Sequence, residues 1–341
     1  MQNKKNNLVI HIGYGKAGSS FLQKNFRNMD GINYFGWYFQ GSAAGEHRKN
    51  KKKDHGPRYH YKWKSLRKLI LQIIEPQLFT KVHKSSVEHI RKYLKKQKKK
   101  SVISTDHLSI VPSFMCAQNL KKMFPNSEIL LILRKQQELI SSLYRYRGYY
   151  LRYAPEPYFK RIVSFDSWIN NLIKNYNKYN GSGAHRDASW EGDFLRVIDS
   201  HLLVSNFENY FGKKNIKILL YEEMIQKPEI FIKKLSSILN TDCSNLIKGI
   251  NKHKVNQGYS LNHVKFLYIK DKIIKRMRLT KILFFLRPIA KKIYELLDRK
   301  ENNNILFTKK QFQELKEIYS KKNNILSKKY KLNLKDYGYF T

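Results

Sequence analysis

The sequence has 341 residues and is strongly basic, with 67 Lys and Arg against 26 Asp and Glu and a formal net charge of +41. This length can bury a full hydrophobic core, and such a charge attracts polyanions such as nucleic acid, anionic lipid or acidic glycan. Because lysine greatly outnumbers arginine, codon bias is an alternative source of the charge. Two cysteines, Cys116 and Cys243, are too few for a disulfide framework and fit a reducing compartment. We expect neither a signal peptide before Leu8 nor a membrane span.

The stretch 8–23 predicts a strand, a glycine-rich turn and the start of a helix. The apolar run LVIHI is long enough for a buried strand, GYGKAGSS follows it, and a helical pattern comes next. This order directs backbone N–H groups and a helix dipole at an anion. Lys16 adds a positive charge, and Ser19 and Ser20 add hydroxyl donors. We therefore predict that phosphate or sulfate binds at this loop.

The spacing within the loop excludes two common nucleotide-binding motifs. A Walker A loop places lysine directly before serine or threonine, whereas Ala17 and Gly18 separate Lys16 from the first serine. A Rossmann fingerprint needs its third glycine where Lys16 stands. An ordinary strand-to-helix turn with a solvated lysine is the remaining alternative.

Strand and helix patterns alternate along the rest of the chain, which predicts a parallel α/β sheet. The segment 31–45 is aromatic and glycine-rich. A dense basic stretch follows at 47–64, and we expect it to form a loop that is either a solvated face or a lip that binds an acceptor. Strands are expected at 8–12, 101–104, 129–133 and 216–220. Helices are expected near 19–29, 65–75, 84–97, 114–124, 136–147, 165–178, 193–210 and 229–239, and basic helices near 261–276, 280–298 and 308–328.

A second anion-binding signal follows the strand predicted at 129–133. Arg134 stands at the carboxyl end of this strand, where open α/β sheets bind ligands. Ser142 falls on the first turns of the next helix, so the two residues could hold one phosphate. An arginine and a serine on one strand–helix unit mean little alone, and the pair becomes specific only in combination with the Lys16 loop.

These motifs resemble those of sulfotransferases that use 3′-phosphoadenosine 5′-phosphosulfate (PAPS). Lys16 followed by Gly18, Ser19 and Ser20 resembles the loop that binds the 5′-phosphosulfate, although Ala17 lacks the usual hydroxyl. Arg134 and Ser142 resemble the clamp that binds the 3′-phosphate. The segment 218–239 resembles a late strand–helix segment of architectural role, and 254–260 resembles a segment that closes over the nucleotide.

The resemblance implies a three-layer α/β sandwich of the P-loop-like type, with a central, mostly parallel sheet flanked by helices. Residues 1–260 would form the sulfotransferase domain, with acceptor-binding insertions at about 40–100 and 149–190. Residues 261–341 would form a basic helical extension packed on the same domain. PAPS would be the co-substrate, without a metal. The residues implied to bind it are Gly15, Lys16, Ala17, Gly18, Ser19, Ser20, Arg134, Ser142, Lys254 and Asn256.

Sulfuryl transfer requires in-line positioning and stabilisation of the leaving oxygen, as phosphoryl transfer does. The resemblance gives Lys16 the role of neutralising the oxygen that bridges sulfate and 5′-phosphate. A general base must take the proton of the acceptor hydroxyl. Asp106, after the strand at 101–104, aligns with an acidic position of the family, whereas His107 is better matched to neutral pH. Asp106 as a simple helix cap is the third possibility.

We therefore expect a cytoplasmic enzyme, with a site at the inner membrane surface as an option, that sulfates a hydroxyl of a saccharide, either a polysaccharide or a glycolipid. Two alternatives stay open: a P-loop-type nucleotide kinase or other phosphotransferase, and a non-catalytic basic protein that binds polyanions. The basic C-terminal helices could contact a membrane surface. We expect no dedicated nucleic-acid binding, because helix-turn-helix, zinc-finger and RNP signatures are missing.

Overall fold

The structure is a computed structural model that describes residues 7–36, 88, 91, 92, 94–104, 113–145, 163–176, 193–252 and 307–341. The residues group into two compact units by their contacts. The first takes the described parts of Met1–Lys135, Val197–Val255 and Ile325–Gly338, and the second takes those of Gln136–Arg196, Asn256–Asn324 and Tyr339–Thr341. The predicted boundary at residue 260 lies outside the described residues and stays a prediction.

The first unit is built on a five-stranded sheet in which every pair of neighbouring strands is parallel. The strand order is β2-β3-β1-β4-β5, so β1 lies at the centre. The sheet confirms the predicted α/β class. Its central strands read as continuous apolar runs because both of their faces are covered. The strands are β1 Leu8–Gly13, β2 Ile32–Gly36, β3 Lys100–Ser104, β4 Glu128–Leu133 and β5 Ile216–Leu220.

Helices cover both faces of this sheet. α1 connects β1 to β2, which lies at one end of the strand order, whereas α2 connects β3 to β4 in the opposite direction across the sheet. Because crossovers between parallel strands are right-handed, these two opposite directions place α1 and α2 on opposite faces of the sheet. The helices are α1 Ser19–Arg27, α2 Ser113–Met123, α3 Gln136–Leu143, α4 Phe165–Tyr176, α5 Asp193–Val197, α6 Ser200–Phe211, α7 Tyr221–Gln226, α8 Pro228–Leu239, α9 Leu246–Lys252 and α10 Lys309–Tyr330.

Contacts between helices complete the outer layers of the first unit. On one face, Gly249 of α9 lies so close to α1 that a β-carbon there would be 3.2 Å from the Phe21 ring. On the other face, the Lys121 ammonium of α2 lies 5.3 Å from the ring centre of Phe211 in α6. The described residues of this unit therefore form the three layers that were predicted.

The second unit packs around aromatic rings and one buried pair of amides. Trp168 of α4 lies between two rings, 5.2 Å from that of Tyr144 and 5.1 Å from that of Phe194, measured between centroids. Gln136 and Asn323 donate to each other through their side-chain amides, at 3.1 and 3.2 Å. Both amides are buried, so this reciprocal pairing satisfies groups that would otherwise cost folding energy.

Several sequence expectations are corrected by the structure. The stretch Ile32–Gly36 was not predicted as a strand, but it forms β2, a five-residue strand rich in aromatic and polar residues that lies next to β3 at the end of the described strand order. The helix expected at 193–210 is two helices. The break occurs at Asp199, which has an extended backbone and accepts a hydrogen bond from the Leu202 N–H at 3.0 Å, so α6 starts afresh there.

Other bounds differ in length. The helix expected at 136–147 is α-helical only to Leu143, and α7 and α9 were not predicted as helices. Asn251 and Lys252 are the last two residues of α9. The predicted helices at 65–75, 261–276 and 280–298 lie outside the described residues. In the ranges that the structure describes, no helix combines the length and the apolar character needed to cross a bilayer.

Candidate functional site

The loop after β1 and the residue after β4 meet at the carboxyl edge of the sheet. β1 and β4 are adjacent, and Gly13 is level with Ile132 in their register. The chain leaves β1 towards β2 and β3, but leaves β4 towards β5 on the opposite side. Adjacent strands whose connections run in opposite directions form the topological switch point at which open parallel sheets bind ligands.

The loop begins with a tight turn from Tyr14 to Ala17. The Ala17 N–H donates to the Tyr14 carbonyl at 3.0 Å. Lys16, the third residue of this turn, has φ of 76°, the left-handed region that such a position favours and that glycine usually occupies. A lysine in this region is strained by about 1 kcal/mol or more. Backbone strain of this kind is concentrated in ligand-binding loops.

Gly18 ends the loop and precedes α1. It has φ of 79°, and a β-carbon there would lie 2.9 Å from the Met224 Cε and 3.2 Å from the Tyr221 ring. The start of α7 therefore packs directly against the loop, and the Tyr221 ring and the positive φ both favour glycine at this position. No side chain caps the amide end of α1. Its first N–H groups are thus placed to bind an anion, as the sequence predicts.

The two serines and the alanine of the loop face different surroundings. Ser19 is buried and its hydroxyl donates to the Tyr14 carbonyl at 3.0 Å, whereas Ser20 is exposed. Ala17 is fully buried and its amide serves the turn. Of these groups, the Ser20 hydroxyl is open to solvent, and the Ser19 hydroxyl would have to rotate to meet a ligand.

Arg134 contacts the loop directly. Its Nη1 donates to the Lys16 carbonyl, and its guanidinium carbon lies 4.6 Å from the ring centre of Tyr221. Burial, and next the positive charge of Arg134, lower the pKa of the Lys16 ammonium. Two cations that follow neighbouring strands therefore lie close together, and both are half-buried.

The segment expected to be architectural has that role around the loop. Glu222 is buried and accepts a hydrogen bond from the Lys135 N–H at 3.0 Å, which ties α7 to the residue after Arg134. Glu223, also buried, forms an ion pair with Lys234 at 2.6 Å. The Tyr221 ring supports both Gly18 and Arg134.

Two buried polar residues near the loop were not predicted. Burial and the Asp199 carboxylate raise the pKa of the Tyr14 phenol, which also lies beside the Ser200 hydroxyl. His11, on β1, has its Nδ1 2.7 Å from the Ser104 hydroxyl. The only local signal for His11 is a polar residue within an otherwise apolar strand.

The structure does not test the remaining predicted site residues. Ser142 is half-buried on α3, in the second unit, so its pairing with Arg134 stays a prediction. The candidate bases Asp106 and His107 lie outside the described residues, as do Lys254 and Asn256. Among the residues that are described, no group of three His, Cys, Asp or Glu side chains is arranged to hold a metal ion.

Comparisons with known proteins give structural likeness alone. No family model and no curated protein sequence matches the chain. A sulfotransferase from Alicyclobacillus acidocaldarius matches at 15% identity over 70% of this chain and 83% of that one, with a TM-score of 0.41. Mouse sulfotransferase SULT7A1 complexed with PAP matches at 15% identity over 73% and 67%, with a TM-score of 0.39. The sulfotransferase domain from the Synechococcus PCC 7002 olefin synthase matches at 10% identity over 93% and 96%, with a TM-score of 0.36. TM-scores and identities this low do not establish the activity, so any assignment rests on the residues of the loop.

Proposed function

We propose that the protein is a PAPS-dependent sulfotransferase that moves a sulfuryl group to a hydroxyl of a saccharide, either a polysaccharide or a glycolipid. The observation that carries the proposal is the convergence of Lys16 and Arg134 at the switch point between β1 and β4. The amide end of α1 opens onto the same place. All three features attract anions, and the Lys16-x-Gly-Ser-Ser order is the one that resembles the phosphosulfate loop.

Electrostatics favour a ligand with more than one anionic group. Burial disfavours the protonated form of Lys16, and the charge of Arg134 adds to this effect. A ligand that brings negative charge to both cations would offset their repulsion and their lost hydration. PAPS carries a 5′-phosphosulfate and a separate 3′-phosphate, so it fits a lysine in the loop and an arginine on the next strand.

In the proposed reaction, the bond from sulfur to the bridging oxygen breaks while a bond from sulfur to the acceptor oxygen forms. Lys16 and the N–H groups that start α1 stabilise the charge that grows on the leaving phosphate oxygen. Asp106 or His107 takes the proton of the acceptor hydroxyl. Arg134 binds the 3′-phosphate end and keeps the donor aligned.

Ligand-induced stabilisation distinguishes this function from a kinase. Adenosine 3′,5′-bisphosphate should raise the melting temperature more than ATP with Mg²⁺ does, because only the first nucleotide offers a 3′-phosphate to Arg134. The Lys16→Ala protein, which lacks the loop cation, should show a much smaller shift. A larger shift with ATP and Mg²⁺ would favour a phosphotransferase.

Transfer from labelled PAPS then tests the activity and the acceptor class. We expect labelled product with polysaccharide or glycolipid acceptors and little with small phenols. Vesicles of anionic lipid should reveal whether the protein docks at a membrane surface. Tight, steeply salt-dependent DNA binding that ignores the bisphosphate would instead indicate a non-catalytic polyanion-binding protein.

A further inference from the structure

A buried chain of hydrogen bonds runs from α1 through β3 to β1, behind the anion loop. Gln23 Nε2 donates to the Ser104 hydroxyl oxygen at 3.2 Å, and that oxygen lies 2.7 Å from His11 Nδ1. His11 is 1% exposed, and its ring meets the Phe26 ring edge-on with centroids 6.0 Å apart. The imidazole therefore has a fixed position and orientation.

The chain determines which nitrogen of His11 carries the proton. Burial lowers the pKa of His11 to about 4, so the ring is neutral near pH 7 and has one N–H. Ser104 already accepts from Gln23 and has its own proton to donate, and His11 Nδ1 is the acceptor within reach. The His11 proton is thereby assigned to Nε2.

His11 Nε2 faces the base of the loop. It has no hydrogen-bond partner in the part of the chain that the structure describes. A β-carbon on Gly13 would lie 3.2 Å from Nε2 and 2.6 Å from the Ser19 hydroxyl oxygen, so these two atoms flank one point. Ser19 donates its own proton to the Tyr14 carbonyl, which leaves its oxygen able to accept.

We propose that His11 is a positioning residue of the anion loop, whose Nε2–H donates to the Ser19 hydroxyl when Ser19 turns from the Tyr14 carbonyl to the bound anion. The donors then run in one direction, from Gln23 through Ser104, His11 and Ser19 to an oxygen of the ligand. Hydrogen bonds aligned in this way strengthen one another in a buried site. No proton is transferred along the chain. The inference rests on the proposed function in so far as the loop binds a phosphosulfate.

The pair Ser104 and His11 also has the spacing of a nucleophile and its base. Ser104 is 0% exposed and its hydroxyl accepts from Gln23, so a substrate carbonyl has no access to it. The arrangement therefore serves orientation.

Two substitutions at position 11 distinguish the role of His11 Nε2 from that of His11 Nδ1. The amide of glutamine reaches the place of Nε2, whereas the shorter amide of asparagine replaces Nδ1. We expect His11→Gln to keep affinity for adenosine 3′,5′-bisphosphate within about threefold, and His11→Asn to lose about tenfold, as one hydrogen bond accounts for. The melting temperatures of the two ligand-free variants should be similar. Isothermal titration calorimetry measures the affinities.

A double-mutant cycle with Ser19→Ala supplies a readout that a merely structural role would not change. If His11 acts through Ser19, His11→Asn should cause no further loss of affinity in the Ser19→Ala protein. Ser104→Ala, which frees Nδ1 and unfixes the tautomer, gives a second variant should His11→Asn not fold. Its effect should also vanish in the Ser19→Ala protein. Losses that add independently would overturn the proposal.

Failure of the proposed function gives a different result. If the wild-type protein binds no bisphosphate, the sulfotransferase assignment is overturned, and the same cycle is run with inorganic pyrophosphate, which needs only the loop. Coupling of His11 to Ser19 with pyrophosphate supports the positioning role, and additive losses or no binding overturn it.

Discussion

The guanidinium of Arg134 donates a hydrogen bond to the backbone carbonyl of Lys16, a residue 118 positions earlier in the chain. The contact joins the residue after β4 to the strained turn after β1. Because the Lys16 backbone is left-handed, Arg134 holds both the conformation of the loop and a second positive charge beside it. Removing the Arg134 side chain should therefore mainly change nucleotide affinity, whereas removing the Lys16 side chain should mainly change turnover.

Arg134→Ala should weaken binding of adenosine 3′,5′-bisphosphate by about 10- to 100-fold, the size of a lost charge-assisted hydrogen bond. Binding of adenosine 5′-monophosphate should weaken far less, because it lacks the 3′-phosphate. Arg134→Lys should recover little, since lysine lacks the planar fork that reaches the Lys16 carbonyl and stacks on Tyr221. Calorimetry with both nucleotides tests this. Equal weakening of the two would limit Arg134 to holding the loop.

Lys16→Ala should lower turnover by about two to three orders of magnitude, as the loss of one transition-state donor does. Affinity for the bisphosphate should fall by a smaller factor. Lys24→Ala is a matched control, because Lys24 is an exposed lysine on α1. Initial rates with saturating labelled PAPS give the comparison. Turnover that survives while binding disappears would make Lys16 a phosphate anchor only.

Gly18→Ala should destabilise the protein by about 1 to 2 kcal/mol and weaken nucleotide binding, because the new side chain stands in a left-handed backbone and its β-carbon would lie 3.2 Å from the Tyr221 ring. Gly212→Ala is the control. Gly212 also has a positive φ, of 76°, with ψ of 149°, but nothing lies within 4 Å of its β-carbon position. Gly212→Ala should cost about 1 to 3 kcal/mol of stability through the backbone alone and leave binding unchanged. Urea unfolding and calorimetry measure both effects, and normal binding by Gly18→Ala would contradict the tight fit under the loop.

The buried His11 should make the fold sensitive to acid. Its pKa is lowered from 6.5 to about 4 by burial, so between these pH values the unfolded chain takes up a proton that the folded chain does not. The contribution of neutral His11 to the free energy of unfolding is therefore fully present above pH 6.5 and is lost as the pH falls towards 4. The wild-type protein should lose on the order of 3 kcal/mol more than His11→Gln over this window. His201→Gln is a control, and urea unfolding at several pH values gives the measurement. Equal losses would show that His11 titrates normally.

Asp106→Asn and His107→Ala should separate the base from its neighbour. If Asp106 is the base, Asp106→Asn loses activity and the acidic limb of kcat/KM lies in the ordinary carboxyl range near pH 4. If His107 is the base, His107→Ala loses activity and that limb lies near pH 6.5. Rates measured from pH 4 to 9 distinguish the two. Full activity in both variants would direct the search to residues 40–64.

Local sequence patterns were sufficient for much of the core. The strands expected at 8–12, 101–104 and 129–133 each lie within a residue of β1, β3 and β4, because a short run of β-branched and aliphatic residues predicts a buried strand without other information. β2 lacks such a run, and its five residues pair in parallel with β3, a partner that the local pattern does not reveal. α6 begins after Asp199 because the Asp199 side chain caps it, and the continuous helical pattern in the sequence shows no sign of this break.

The amino-acid sequence by itself determined the parallel α/β class and was enough to predict an anion site at the loop, because glycine spacing, Lys16 and the helix start are local features. Tertiary structure alone decided what surrounds the loop. Parallel pairing of β1 with β4 brings Arg134 to the Lys16 carbonyl, the chain after β5 sets Tyr221 under Gly18, and β3 sets Ser104 against His11. These contacts join residues that lie about 90 to 200 positions apart, and no local pattern encodes such distances.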